Sequence, residues 1–310
     1  MFIYIDVVRS SIFYQLSHLN EWLTSEFKIQ IISGFTTFLS VKRLTDIHNF
    51  ALPKINNLLS HPVNSESIGH PFIILPSIDS TNNYAMRQIQ AGLATHGITW
   101  FAREQTAGKG QRGKSWLTIP NQNIMLSTVV VPRLPVNRQF LLSATVALAC
   151  YDFYKNYAGE ETSIKWPNDV YWRDRKAGGI LIENVFRGAD WLFAVVGIGI
   201  NINQVEFDPS LPNPVSLKQI TGKDFDAVEM GKALCEALEL RFQELTANGA
   251  EPVLSAYRQV LYKLNQPVSL KKGNILFETT IHGVSETGRL LTKDVIEREF
   301  DFGEVEFVIR

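Results

Sequence analysis

Residues 104–116 read Glu-Gln-Thr-Ala-Gly-Lys-Gly-Gln-Arg-Gly-Lys-Ser-Trp, with glycines at 108, 110 and 113 and cations at 109, 112 and 114. Glycines let successive backbone N–H groups turn toward one point, and such an array backed by positive side chains binds anions. Two phosphate-binding patterns fit these letters at once. Gly108, Gly110 and Gly113 match the dinucleotide fingerprint, and Gly108 to Ser115 matches the P-loop. Both patterns need a helix to open at the end of the loop, because its N-terminus supplies further N–H groups and the dipole. Here the chain continues Trp116-Leu117-Thr118-Ile119-Pro120-Asn121, and β-branched residues with a proline do not start a stable helix. A third arrangement keeps the anion chemistry without the helix: the loop orders over its ligand as a lid and excludes water. A solvated surface loop is the bland alternative.

A second group of cations lies at 164–183. Lys165 ends a predicted strand, and Pro167 forces a turn that presents Asn168 and Asp169. A carboxylate among several cations suits a magnesium nucleotide, with the acid toward metal or ribose and the lysines toward phosphate. Lys176 precedes Ala177-Gly178-Gly179, where absent side chains let a ligand approach the backbone. Charged hairpin tips, and an Asx-turn for Asp169, are the competing structural explanations. Gly197-Ile198-Gly199-Ile200-Asn201 ends an apolar run whose asparagine is either a turn former or a ligand donor.

These residues need elements to carry them. From His70 onward the pattern is regular. Strands are predicted at Pro71–Pro76, Ile98–Arg103, Ile124–Val131, Thr162–Lys165, Val170–Trp172, Gly179–Asn184 and Trp191–Ile198. Helices are predicted from Asp79-Ser80-Thr81 to Leu93, with a Ser80 or Thr81 hydroxyl as cap, and over Asn137–Tyr157, Ala227–Thr246 and Pro252–Tyr262. The last 46 residues switch to short strands broken by glycine turns, a small all-β module covering 265–310. Residues 1–70 stand apart. They hold four of the six histidines, none at metal-ligand spacing, and two short helices, Ser10–Leu23 and Thr45–Leu59, are expected there. Their five cations are too scattered for the basic face of a winged-helix DNA reader.

Composition sets the outer limits. With 30 basic and 31 acidic residues the net charge is −1, which speaks against nucleic-acid binding through bulk positive potential. Two cysteines, Cys150 and Cys235, exclude a disulfide scaffold and a four-cysteine zinc site, and read as buried small hydrophobes. Asp6 and Arg9 interrupt the apolar start, so no export signal is expected. The longest uncharged run, 115–132, contains two prolines and three side-chain amides and cannot span a membrane. The expectation is a cytoplasmic chain.

Taken in order, Asp79-Ser80-Thr81-Asn82, the loop Gln105–Gly113, Lys165-Trp166-Pro167-Asn168-Asp169, Arg175-Lys176-Ala177-Gly178-Gly179 and Gly197–Asn201 resemble the biotin protein ligases over roughly Ile74 to Arg310. The resemblance implies an α+β fold: a mixed sheet with flanking helices, related to class II aminoacyl-tRNA synthetases and lipoate ligases, over 71–264. A small barrel of the Src-homology-3 type follows at 265–310. It implies ATP, magnesium and biotin as ligands, biotinyl-5′-AMP as intermediate, and the carrier domain of a biotin-dependent carboxylase as acceptor.

Residue by residue, the same resemblance places Ser80, Thr81, Asn82 and Gln105 at the biotin head. Lys109, Gly110, Gln111 and Arg112 go to the closing loop, and Lys176 is the principal catalytic cation, aided by Arg112 and Lys165. Asp169 belongs with magnesium, and Gly178 and Asn201 with the bound nucleotide. Lys109 and Gln111 stand where the family often has arginine, which implies looser retention of the adenylate. Residues 1–70 do not read as the DNA-binding domain of the family's repressors, so a catalytic-only type is expected, with no nucleic acid or membrane partner. A homodimer through sheet edges is left open. A lipoate ligase is the nearest rival of the same fold, disfavoured by Trp166 and the β tail, and a P-loop nucleotide binder is the rival from another class.

Overall fold

In a β-strand, alternate side chains face opposite sides of the sheet, so each strand here serves two environments. The computed structural model describes residues 67–309. The two helices expected within 1–70, and most of that segment, lie outside the described residues. The larger sheet contains β1 (Phe72–Leu75), β2 (Thr99–Ala102), β3 (Ile124–Val130), β4 (Thr162–Lys165), β5 (Asp169–Trp172), β6 (Arg175–Arg187) and β7 (Asp190–Ile200). Their spatial order is β1-β2-β3-β7-β6-β5-β4. β1 and β2 run parallel and the other neighbours antiparallel, so the sheet is mixed.

Helices cover both faces. α1 (Thr81–Gln90) lies on one side, where Ala85 packs with Trp100, Val129 and Val195. On the other side α2 (Gln139–Ala158), α4 (Ala227–Asn248) and α5 (Ala250–Gln259) build the main core with Leu126, Val196, Ile198 and Ile200. α2 is buried nearly all round, from Phe140 to Tyr154, as its continuous apolar sequence demands. Cys150 and Cys235 are free and buried in this core, and burial pushes the Cys235 thiol up to about 12. Both are inert hydrophobes, as their apolar context predicts.

The short helix α3 (Leu217–Thr221) lies outside the sequence expectation; five residues are too few for a periodic signal, although Ser216 and Gln219 form a capping box. The C-terminal module has β8 (Pro267–Lys272), β9 (Ile275–Val284), β10 (Leu290–Lys293), β11 (Glu297–Phe300) and β12 (Glu306–Phe307), in the order β11-β10-β9-β8-β12. All its pairings are antiparallel, as in a small barrel of the Src-homology-3 type. β11, whose sequence Glu-Arg-Glu-Phe is mostly charged, is the strand that patterning missed. The module rests against the part of the chain that carries the larger sheet through Trp166, which stacks on Phe302 at 5.2 Å and donates from Nε1 to the Gly288 carbonyl at 2.9 Å. No helix among the described residues is long and apolar enough to cross a membrane.

Candidate active site

Register decides which glycines meet the cavity. β6 and β7 pair Gly179 with Gly199 and Leu181 with Gly197, so these four residues occupy one face, the side of α1. Gly178 is on the other face, paired with Ile200, and a Cβ there would meet the Gly199 carbonyl at 2.8 Å. The result is a floor of nearly bare backbone beneath a cavity of about 270 Å³. Close packing claims part of it. A Cβ at 197 would meet Asn82 Oδ1 at 2.1 Å, and one at 199 would meet the Trp116 ring at 2.4 Å.

The wall beside α1 is set by Gln105 rather than by a helix-capping hydroxyl. Ser80 occupies the N-cap position in extended conformation without a side-chain cap bond. Instead the Thr81 backbone N–H donates to Gln105 Oε1 at 2.7 Å, and the Thr81 hydroxyl donates to the same oxygen at 3.1 Å. A bridge between Ile78 and Gln105 brings the loop alongside the helix start, so a distant amide does the capping. Fixing Oε1 in this way fixes where Gln105 Nε2 points. Asn82 Nδ2 donates to Glu183 Oε2 at 2.8 Å and to the Leu181 carbonyl at 3.3 Å, while its Oδ1 accepts from Ser127 at 2.6 Å. That amide is committed to protein partners. Asp79 anchors the same turn: the Arg87 guanidinium beside it holds its carboxyl well below the usual carboxylate range.

Lys176 reaches the cavity because of a bulge. β5 pairs Val170 with Gly178 but Tyr171 with Lys176, leaving Ala177 without a partner. An extra residue reverses the alternation and re-aims the side chain, as bulges beside active sites commonly do. Lys176 therefore shares the face of Gly179, where its Nζ would lie 3.4 Å from an added Cβ. It pairs with Asp169 Oδ1 at 2.7 Å, both groups largely shielded from solvent. Its backbone N–H donates to the Asn213 carbonyl at 2.7 Å and its own carbonyl accepts from Val215, which holds the 213–215 segment at the cavity rim.

The glycine loop forms a hairpin, not a helix entry. Lys109 bridges Ser115, the Gly110 N–H donates to the Lys114 carbonyl at 2.6 Å, and the Trp116 N–H donates to the Gly108 carbonyl. Gln111–Gly113 makes one tight 3₁₀ turn at the tip, after which the chain is extended. The P-loop and dinucleotide geometries are thereby absent, as the residues after Ser115 predict. Arg112 sits at positive φ and donates to the Gly303 carbonyl of the C-terminal module at 3.2 Å.

Ser80, Thr81, Asn82, Gln105, Lys109, Gly110, Gln111, Arg112, Asp169, Lys176 and Asn201 all line the cavity. Lys165 and Gly178 are not among its lining residues. The Lys165 ammonium lies between the rings of Tyr171 and Phe307, at 5.2 and 4.9 Å, where burial lowers its pKa. Gly178 faces away by the alternation above. Asn201 is buried, and its amide donates to the Lys176 and Val215 carbonyls. Of the residues lining the cavity, Asp169 is the one acid. Among the described residues no group of three or more His, Cys, Asp or Glu could hold a metal. A single carboxylate fits magnesium carried on nucleotide phosphates, since that ion keeps mostly water and phosphate oxygens.

Gly197 and Gly199, part of a motif the sequence singles out, and Trp116 are cavity-lining residues to which the sequence assigns no role. Two glycines spaced i, i+2 in a strand were the available signal, since they bare one face. Trp116 covers Gly199, and its buried Nε1 has no hydrogen-bond partner.

Residues 74–201 match the family model for the biotin/lipoate A/B protein ligase family. The chain is 30% identical over 233 residues to a biotin–[acetyl-CoA-carboxylase] ligase of Paracoccus denitrificans, covering 73% of this chain and 95% of that one. It is 28% identical over 260 residues to a bifunctional ligase/repressor of Escherichia coli, covering 83% and 80%. A solved biotin protein ligase of Aquifex aeolicus, in complex with biotin and ATP, superposes with a TM-score of 0.64 at 25% identity, covering 76% of this chain and 98% of that one. A floor of bare backbone, a lysine–aspartate pair at its edge and a cationic hairpin above thus occur in a chain that belongs to the biotin protein ligase family.

Proposed function

We infer that the chain is an ATP-dependent biotin protein ligase, which activates biotin as biotinyl-5′-AMP and transfers it to a lysine of a biotin carboxyl carrier domain. The observation that carries this reading is the Lys176–Asp169 pair at 2.7 Å on the edge of the glycine floor. Two anions, the biotin carboxylate and the α-phosphate, must meet there. Their repulsion is the main barrier that fixed cations remove.

In the first step a carboxylate oxygen bonds to the α-phosphorus and the bond to the β-phosphate bridge breaks, releasing pyrophosphate. Lys176 Nζ is assigned to the carboxylate and the α-phosphate, where negative charge concentrates. Asp169 aims that ammonium through the ion pair, and would hold magnesium on the phosphates, where such an ion would neutralise charge. Lys109 and Arg112 close from above, and Trp116 with the floor glycines excludes water that would hydrolyse the mixed anhydride. Gln105 Nε2 and the hydroxyls of Ser80 and Thr81 are assigned to the ureido group. Asn82 serves by holding α1 to β6. In the second step the neutral acceptor amine attacks the acyl carbon, the acyl–oxygen bond to AMP breaks, and the amine's proton leaves to solvent. Lys165 acts from behind the site, at the seam with the C-terminal module. The carrier domain of a carboxylase as acceptor, a cytoplasmic location and the absence of a nucleic-acid partner complete the proposal.

Incubation with biotin, ATP and magnesium, read by mass spectrometry, should give biotinyl-5′-AMP, and a carrier domain added afterward should gain biotin. Nucleotide hydrolysis without adenylate would overturn the reading in favour of a nucleotide switch. Lys176→Ala should cut adenylate formation by about 10²–10³-fold, the size of losing one fixed electrostatic partner, with an unchanged melting temperature. Near-normal turnover would remove Lys176 from its role.

A further inference from the structure

We propose that Glu183 is a positioning residue that ties the biotin pocket to the closing loop; this rests on the ligase reading above. Glu183 lies on β6 two residues beyond Leu181, on the same cavity-side face as Gly179. Its side chain is one-third exposed. A carboxylate next to a site that gathers two anions raises the cost of binding both, so its charge requires a partner. The hydrogen bond from Asn82 does not supply one, because an amide is neutral and donates without carrying a compensating charge.

The charge is met by the loop. Glu183 Oε2 takes Asn82 Nδ2 at 2.8 Å, while Oε1 faces Lys109 Nζ at 3.9 Å. One carboxylate therefore touches α1, which carries Ser80 and Thr81, and the first cation of the hairpin. Lys109 is bridged to Ser115 and the Gly108 carbonyl to Trp116, so drawing Lys109 toward β6 draws the whole hairpin, with its tryptophan, onto the floor. Glu183 does not reach the reacting atoms. It sets how readily the loop closes over biotin once α1 is in place.

The test separates its two oxygens. Glu183→Gln keeps an acceptor for Asn82 and loses the charge. Its KM for biotin in adenylate formation should rise about three- to fivefold, the range of a partly exposed ion pair, with kcat within about twofold. Added KCl should weaken biotin binding by the wild type toward the level of the variant, and change the variant less. In a Lys109→Met background the same substitution should no longer raise KM and should lower it, since the carboxylate left without its partner only repels the two anions. Retention of wild-type KM and salt response in Glu183→Gln, or an undiminished effect in the Lys109→Met background, would overturn the proposal. So would a fall in kcat and melting temperature with no change in KM, which marks a structural role. Wild-type protein that forms no adenylate would instead defeat the ligase reading, so the two failures are distinguishable.

Discussion

Glycine performs opposite tasks in the floor and in the loop above it. At 197 and 199 the space is already taken: Asn82 lies where one Cβ would be and the Trp116 ring where the other would be, at 2.1 and 2.4 Å. At 113 nothing lies within 4 Å of a Cβ position, yet φ is +75°. The floor needs glycine for room and the loop needs it for conformation. A side chain on the floor displaces partners and ligand together, whereas one at the loop tip strains only a turn. Rigid surface below and adjustable hairpin above is the division of labour expected where a ligand must enter and then be sealed from water.

The comparison breaks most sharply at Gly199. Valine there must push the Trp116 ring off the floor and fill part of the cavity. Adenylate formation in single-turnover assays should fall by about a hundredfold, a loss typical of misplacing reacting groups by an ångström. Melting temperature should stay near wild type, because the added methyls face the cavity and not the core on the α2 side. An active Gly199→Val enzyme would show that the floor is not where the ligands lie.

Gly113→Ala probes the other side. A left-handed alanine costs about 1–2 kcal/mol, and open space spares it any clash. The strain falls on the ordered hairpin, so biotin affinity by calorimetry should weaken by about five- to tenfold while the melting temperature is unchanged. Equal damage at 113 and 199 would erase the distinction between conformational and steric glycines.

Much of this division could be read from residue order, and the part that could not has physical causes. Strands, the long helices and both cation clusters follow from periodicity and from glycine, proline and cation spacing. The lack of a helix after the loop follows from Trp116 to Pro120, whereas the hairpin is set by the Lys109–Ser115 bridge, which no local pattern marks. Gly178 and Gly179, adjacent and identical in type, became distinguishable only with the register of β6 on β7, since one residue of shift exchanges the faces. Lys176 reaches the cavity through a bulge at Ala177, and nothing in a single strand's sequence marks where its partner skips a residue. The resemblance sets Asn82 at the biotin head, and it does line the cavity, but nothing local in the sequence signals that Glu183, 101 positions away, takes its donor. Lys165 was grouped with Asp169 by proximity in sequence. The C-terminal module, through Phe307, covers it. Contacts of that range are the ones that local patterns do not encode.

Lys114 gives the smallest effect and the cleanest separation of two chemistries. In a P-loop the lysine before the serine reaches the terminal phosphates from a helix start, and its loss is crippling. Here Lys114 leaves the hairpin in extended conformation, exposed at the cavity rim. Its carbonyl, not its side chain, is what the turn uses, accepting from the Gly110 N–H at 2.6 Å. Alanine preserves that bond. The lost ammonium contributes only long-range attraction for the nucleotide, which is screened within about 8–10 Å at physiological salt. Lys114→Ala should therefore raise the KM for ATP by about twofold at low ionic strength, leave kcat unchanged, and converge on wild type as salt is added. Initial rates of pyrophosphate release at two salt concentrations measure this directly. A hundredfold loss that salt does not affect would mean that the cation contacts phosphate directly, and the hairpin would then have to refold on binding.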